Sequence, residues 1–112
     1  MDTIFIILGF SNIFSGILVI AVCIPLLNKK IGMNRVYGFR LRKSFKSDEN
    51  WFEINRYGAR RMILWSFVII AIGIFSLTLS TNVGDPLRII MSCAPLLLII
   101  PAIESWIFAK KL

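Results

Sequence analysis

The sequence predicts an all-α integral membrane protein: a bundle of three transmembrane helices with a cytoplasmic loop and a juxtamembrane helix between the first two spans. Three observations lead there. The 112-residue chain is 57% hydrophobic and 17% charged, where soluble domains run at roughly 45–50% apolar, and its mean hydropathy is +0.79. The apolar residues gather in three runs, each close to the roughly 20 residues a helix needs to cross a hydrocarbon core about 30 Å thick. Every Lys and Arg except Arg88 lies between the first two runs or at the C-terminus. The length suits one membrane domain over residues 1–112.

The first span covers about residues 4–27, from Ile4 to Leu27, without a charge. A signal peptide is the competing reading. The residues before the run carry Asp2 and no Lys or Arg, and no small-x-small cleavage site precedes Asn28-Lys29-Lys30, so a permanent span is expected. Residues 28–61 form the one sizeable polar segment. The second span, about 62–80, is uncharged from Met62 to Ser80. Thr81-Asn82-Val83-Gly84-Asp85-Pro86 reads as a tight turn. The third span, about 87–109, carries Arg88 and Glu104 near its ends and Pro95 and Pro101 inside. With the basic residues on one side, the positive-inside rule orients the chain. The N-terminus is outside, the 28–61 segment and C-terminus are cytoplasmic, and the protein is a multi-pass component of the cell membrane.

Within the first span, Gly9, Asn12, Gly16 and Cys23 share a helical face; in the second, Ser66, Gly73 and Ser80 recur every seven residues. Small residues at these intervals let helices approach closely, so these are packing faces of the bundle or of a homo-oligomer. Asn12 has a second reading, a polar site facing a cavity, because an uncovered amide in hydrocarbon is costly. Glu104 is the one acid inside a span. It either pairs with a loop arginine and anchors the loop to the bundle, or serves a proton or ion relay. Arg88 reads as an interfacial anchor with a snorkelling stem, and Cys23 and Cys93 as packing residues.

Composition also excludes. The net charge of +7 is accounted for by the topological bias, so direct nucleic-acid binding is not expected. There is no histidine, which removes the commonest general base, metal ligand and nucleophile partner. No nucleophile–base spacing or phosphate-cradling glycine loop occurs. The expectation is a protein that is not an enzyme, with no catalytic residues, metal or cofactor.

The polar segment carries the most pattern. Ser47 is placed to cap a helix whose first turn holds Asp48 and Glu49. Trp51, Asn55 and Gly58 share a face of that helix, which is expected to continue through Arg60-Arg61 into the second span. Aromatic and basic residues side by side suit contact with membrane lipids at headgroup depth. The order Asn34, Tyr37-Gly38-Phe39-Arg40, Ser44, Ser47, Trp51, Asn55, Gly58 resembles the pattern of the SdpI family, roughly N-x-x-Y-G-x-R-x-x-x-T-x-x-S-x-x-x-W-x-x-x-N-x-x-x-G. The Thr-Pro that often follows the arginine is Leu41-Arg42 here, and the later Thr is Ser44. The flanking spans match the minimal three-span form of the domain.

The resemblance implies an immunity protein whose founding relative protects bacteria from a secreted killing peptide and holds a transcriptional repressor at the membrane. The expected partners are then a toxin peptide and a cytoplasmic regulator. Asn34, Tyr37, Gly38, Arg40, Trp51 and Asn55 become the binding or loop-shaping set, and Asn12 and Glu104 the intramembrane polar residues. On this reading Arg40 pairs with Glu104, or meets a partner's acid or a lipid phosphate. Two alternatives stand beside it. A small oligomeric transporter or channel component would use Asn12, Glu104 and the proline-interrupted third span. A signalling scaffold would recruit a regulator or anionic lipid through the basic loop.

Overall fold

The computed structural model describes residues 3–78 and 85–112, without the side chains of Asp85, Pro86 and Arg88. Most of the turn expected over 81–86, and the anchoring role expected of Arg88, lie outside the described residues. The described residues form helices α1 (Thr3–Leu27), α2 (Asp48–Leu77), α3 (Asp85–Ser92) and α4 (Ile99–Lys110), with 3₁₀ stretches at Arg42–Phe45 and Ala94–Leu98 and no strand.

Helix α1 is the first apolar run. Pro25 stands in its last turn, and the helix closes in a Schellman arrangement: the Lys30 amide donates to the Pro25 carbonyl (3.0 Å) and the Lys29 amide to that of Leu26 (3.4 Å). Lys29 takes the left-handed conformation, φ 58°, that glycine usually supplies there. Helix α2 begins at Ser47, whose hydroxyl accepts the Asn50 amide at 3.0 Å. The polar half and the second apolar run are therefore one uninterrupted 30-residue helix, as the sequence predicts, and about 45 Å long at 1.5 Å per residue. That exceeds a hydrocarbon core of about 30 Å, so the charged first half projects beyond the apolar second half.

The two long helices run antiparallel, and the contact is built from small residues. A Cβ added at Gly73 would stand 2.7 Å from the Gly9 carbonyl oxygen, and one at Gly16 would stand 2.9 Å from that of Ser66. The Ser76 hydroxyl donates across the pair to the Phe5 carbonyl at 2.8 Å. Gly9, Asn12, Gly16, Cys23, Ser66 and Gly73 are all buried, as the two predicted faces require. Ser76 joins them, and Ser80 lies outside the described residues. Although Phe5 and Ile69 are buried, many large apolar side chains point outward: Phe14 is 67% exposed and Phe67 59%. A water-soluble helix pair would bury such residues and expose the serines. The inverted arrangement, on two helices long and apolar enough to cross a membrane, is that of helices solvated by lipid.

The third apolar run differs from a single continuous helix. It is divided into α3, a turn at Cys93, the 3₁₀ stretch and α4. Proline is the physical reason. Pro95 and Pro101 lack the N–H that would bond the carbonyl four residues back, and such a residue is best accommodated in a first helical turn, where no such bond is required. Each therefore stands near the start of a new helical piece. α3 packs against both long helices and α4 along α2.

Candidate functional site: a basic loop folded onto two helices

The loop between α1 and α2 is held by side chains at the positions of the sequence pattern. The Asn34 carboxamide oxygen accepts the amides of Val36 (2.9 Å) and Tyr37 (2.6 Å), and its NH₂ donates to the Gly32 carbonyl (2.8 Å). This local competition for backbone groups is what suits Asn to turns. The Tyr37 hydroxyl donates to the Val22 carbonyl of α1. That carbonyl is next to the one left without a helical donor by Pro25, so a proline in α1 and a tyrosine in the loop act on the same turn.

Gly38 then turns the chain across α2 at φ 122°, a conformation open to glycine and costly for other residues. An added Cβ would meet Asn55 Oδ1 at 2.6 Å. This close pass lets Asn55, 1% exposed, accept the Phe39 amide at 2.5 Å while its NH₂ donates to the Trp51 carbonyl at 2.9 Å. The Phe39 ring covers Gly58, where an added Cβ would be 2.6 Å from it. The Ser44 hydroxyl donates to the Phe39 carbonyl (2.7 Å) and accepts the Leu41 amide (3.2 Å). Trp51, fully buried, sends its indole N–H back to the Ile31 carbonyl at 2.9 Å. Trp51, Asn55 and Gly58 thus form one face that receives the loop.

Arg40 does not meet Glu104. Its guanidinium donates to the Arg35 carbonyl, beside a cleft of about 820 Å³ lined by Met33, Asn34, Arg35, Arg40 and Phe45. The partner of Glu104 is Arg61, in a bidentate pair: Nη2 to Oε2 at 2.7 Å and Nε to Oε1 at 3.1 Å. Trp65 Nε1 donates to the same carboxylate at 3.2 Å. Arg61 and Trp65, four residues apart, share a face of α2 that α4 covers. Chiefly through the hydrogen bond to Glu104, the Arg61 guanidinium is raised above its ordinary pKa. A parallel stack of Tyr57 on Phe108, centroids 4.2 Å apart, and Lys110 over the Trp106 ring at 3.5 Å complete this end of α4. Arg61 and Trp65 were not singled out by sequence reasoning. Their spacing on α2 was visible, but which face meets α4 was not.

Asn12, 2% exposed, donates to the Met91 carbonyl of α3 at 3.1 Å. Met91 lies four residues before Pro95, so Asn12 supplies the donor that the proline cannot. Asn12→Leu is expected to lower stability in detergent by about 0.5–2 kcal/mol, the usual scale of an interhelical hydrogen bond in a membrane protein. Thermal unfolding followed by near-UV circular dichroism measures it, and an unchanged midpoint would show the bond to be dispensable.

These features define a helical membrane protein with two lipid-solvated long helices and a basic loop locked onto the projecting half of the second. The SdpI/YfhL protein family matches over residues 30–108, most of the chain, and the chain belongs to that family. A curated relative, the uncharacterized protein YfhL of Bacillus subtilis (strain 168), is 39% identical over 59 residues, or 53% of this chain and 54% of the relative. The match thus spans about half of the relative's length. No solved structure matches.

Proposed function

We propose that this SdpI-like membrane protein confers immunity to a secreted membrane-active toxin peptide, acts without catalysis, and can hold a cytoplasmic regulator at the membrane. In this reading the divided third run is the third span, the N-terminus is outside, and the basic loop and C-terminus are cytoplasmic. The observation that carries it is the locked loop: in a chain of this family, the polar side chains of the pattern between Asn34 and Asn55 build one hydrogen-bonded cap on α1 and α2. Such a cap suits a rigid surface for recognition, because the ordering entropy is met in folding and not again on binding. The Glu104–Arg61 pair ties α4 to the same end.

The test is survival of a sensitive bacterium that expresses the chain and is challenged with membrane-active killing peptides. Wild type is expected to protect. Arg40→Ala and Glu104→Gln, at equal membrane levels, are expected to lower the tolerated peptide concentration several-fold. An absence of protection by wild type at normal membrane levels would sink the immunity reading. A transporter or channel component is the second reading, favoured by one observation: the third run breaks at Cys93 close to the buried Asn12–Met91 contact, and discontinuous helices beside polar groups line substrate routes in transporters. It requires flux across proteoliposomes that is lost in Glu104→Gln.

A further inference from the structure

We propose that the cleft between the projecting half of α2 and the end of α4 is a binding site for the headgroup of an anionic phospholipid. The cleft, of about 270 Å³, is lined by Glu53, Arg56, Tyr57, Arg60 and Phe108. Arg56 and Arg60 are exposed and one helical turn apart, so their guanidinium groups occupy one face. Unlike Arg61, neither makes a hydrogen bond or ion pair among the described residues. Glu53 shares the cleft and lies within 4.0 Å of neither, which leaves the lining with one net positive charge. A phosphodiester accepting from both guanidinium groups is the ligand such a fork recognises.

The surroundings select a lipid over a free anion. The cleft stands on the last two to three turns of α2 before its apolar half begins at Met62, the depth at which headgroups meet a helix leaving the hydrocarbon core. Below Arg60 the same face continues with Leu64, 48% exposed, and Phe67, 59% exposed. On α4, Ile103 and Ile107 are also exposed. A phosphate held at Arg56 and Arg60 therefore has its acyl chains laid against a surface that is already apolar and unpartnered. The Tyr57–Phe108 stack forms a fixed wall, and Lys110, held over Trp106, adds positive charge at the same end of α4. Basic pockets between transmembrane helices are a recurrent form of anionic-headgroup recognition. This inference rests on the membrane-spanning character of α2 and is independent of the toxin reading.

The experiment uses the purified full chain in neutral detergent, titrated with short-chain phosphatidylglycerol, phosphatidylcholine or inorganic phosphate, with bound molecules counted by native mass spectrometry. Phosphatidylglycerol is expected to be retained at least tenfold better than phosphatidylcholine. Arg56→Gln/Arg60→Gln is expected to abolish that preference with an unchanged melting midpoint, since neither side chain holds the fold together. Arg35→Gln/Arg42→Gln, which removes as much charge from the loop between α1 and α2, is expected to keep it, and Glu53→Gln to strengthen it. Equal losses in the two double variants would overturn the site in favour of diffuse surface charge. Displacement of the lipid by inorganic phosphate at equal concentration, or no preference in wild type, would overturn it as well.

Discussion

Gly73→Ala is expected to separate α1 from α2 and to be among the most damaging single-methyl changes in the chain. Helix propensity alone predicts the opposite sign, because alanine in a helix interior is favoured over glycine by about 0.5–1 kcal/mol. The packing decides. The new Cβ would lie 2.7 Å from the Gly9 carbonyl oxygen and 3.1 Å from the Ile13 amide nitrogen. Both are backbone atoms of a helix and cannot rotate away. Relief requires moving α1 as a body, which opens the Gly16–Ser66 approach and lengthens the Ser76–Phe5 hydrogen bond. Overpacking of a close contact costs roughly 1–3 kcal/mol, more than the propensity gain. A melting curve in detergent should show a lower midpoint and loss of near-UV ellipticity with helix content retained. Gly32→Ala, where nothing stands within 4 Å of the added methyl, is the matched control and should leave the curve unchanged. A Gly73→Ala midpoint at or above wild type would mean the helices are not held at this distance.

Asn55→Leu is expected to release the loop without unfolding the helices. Leucine nearly matches asparagine in volume, but it leaves the Phe39 amide without its acceptor and the Trp51 carbonyl without one donor, in a place sealed from water. An unsatisfied buried amide costs about 1–3 kcal/mol, which favours local opening by roughly ten- to a hundredfold. Loop opening is read by trypsin, since cleavage of a transiently open segment follows its open population. Cuts at Arg35, Arg40 and Arg42 should accelerate by about that factor, while those at Arg56, Arg60 and Arg61 within α2 should stay slow. Asn55→Asp keeps the acceptor for Phe39 and should fall between. Wild-type cleavage rates in Asn55→Leu would show that the loop is held by other contacts, and the rigid cap on which the recognition reading depends would be lost.

Some of this architecture could be read from the residues in order. The apolar runs, the cap at Ser47 and the passage of one helix through Arg60-Arg61 are local, set by composition, capping chemistry and the absence of proline between Asp48 and Leu77. The burial of Gly9, Gly16, Ser66 and Gly73 was legible from spacing, because a membrane reverses the usual rule and small residues mark where helices touch. The loop pattern from Asn34 to Gly58 identified a family, yet order alone did not say what each side chain does. Tyr37 reaches back fifteen residues to α1, Trp51 twenty to Ile31, and Asn55 sixteen to Phe39, and no periodicity encodes such distances.

The partner of Glu104 shows where sequence stops. A carboxylate in an apolar helix demands a cation, and Arg40 and Arg61 were equally available by composition. Tertiary structure chose Arg61 because α4 lies along the face of α2 that carries Arg61 and Trp65, whereas Arg40 is held at the Arg35 carbonyl. The third run makes the same point: Pro95 and Pro101 announced a break, but only packing supplied Asn12 as the donor to Met91. What the sequence determined by itself was the lipid-facing, helical character of the chain and the segregation of its charge, since both follow from solvation summed along each segment. Which polar groups pair, and hence where a rigid surface and an unneutralised arginine cleft arise, was decided by the tertiary structure, because a hydrogen bond or ion pair depends on ångström-scale distances between helices that no single segment contains.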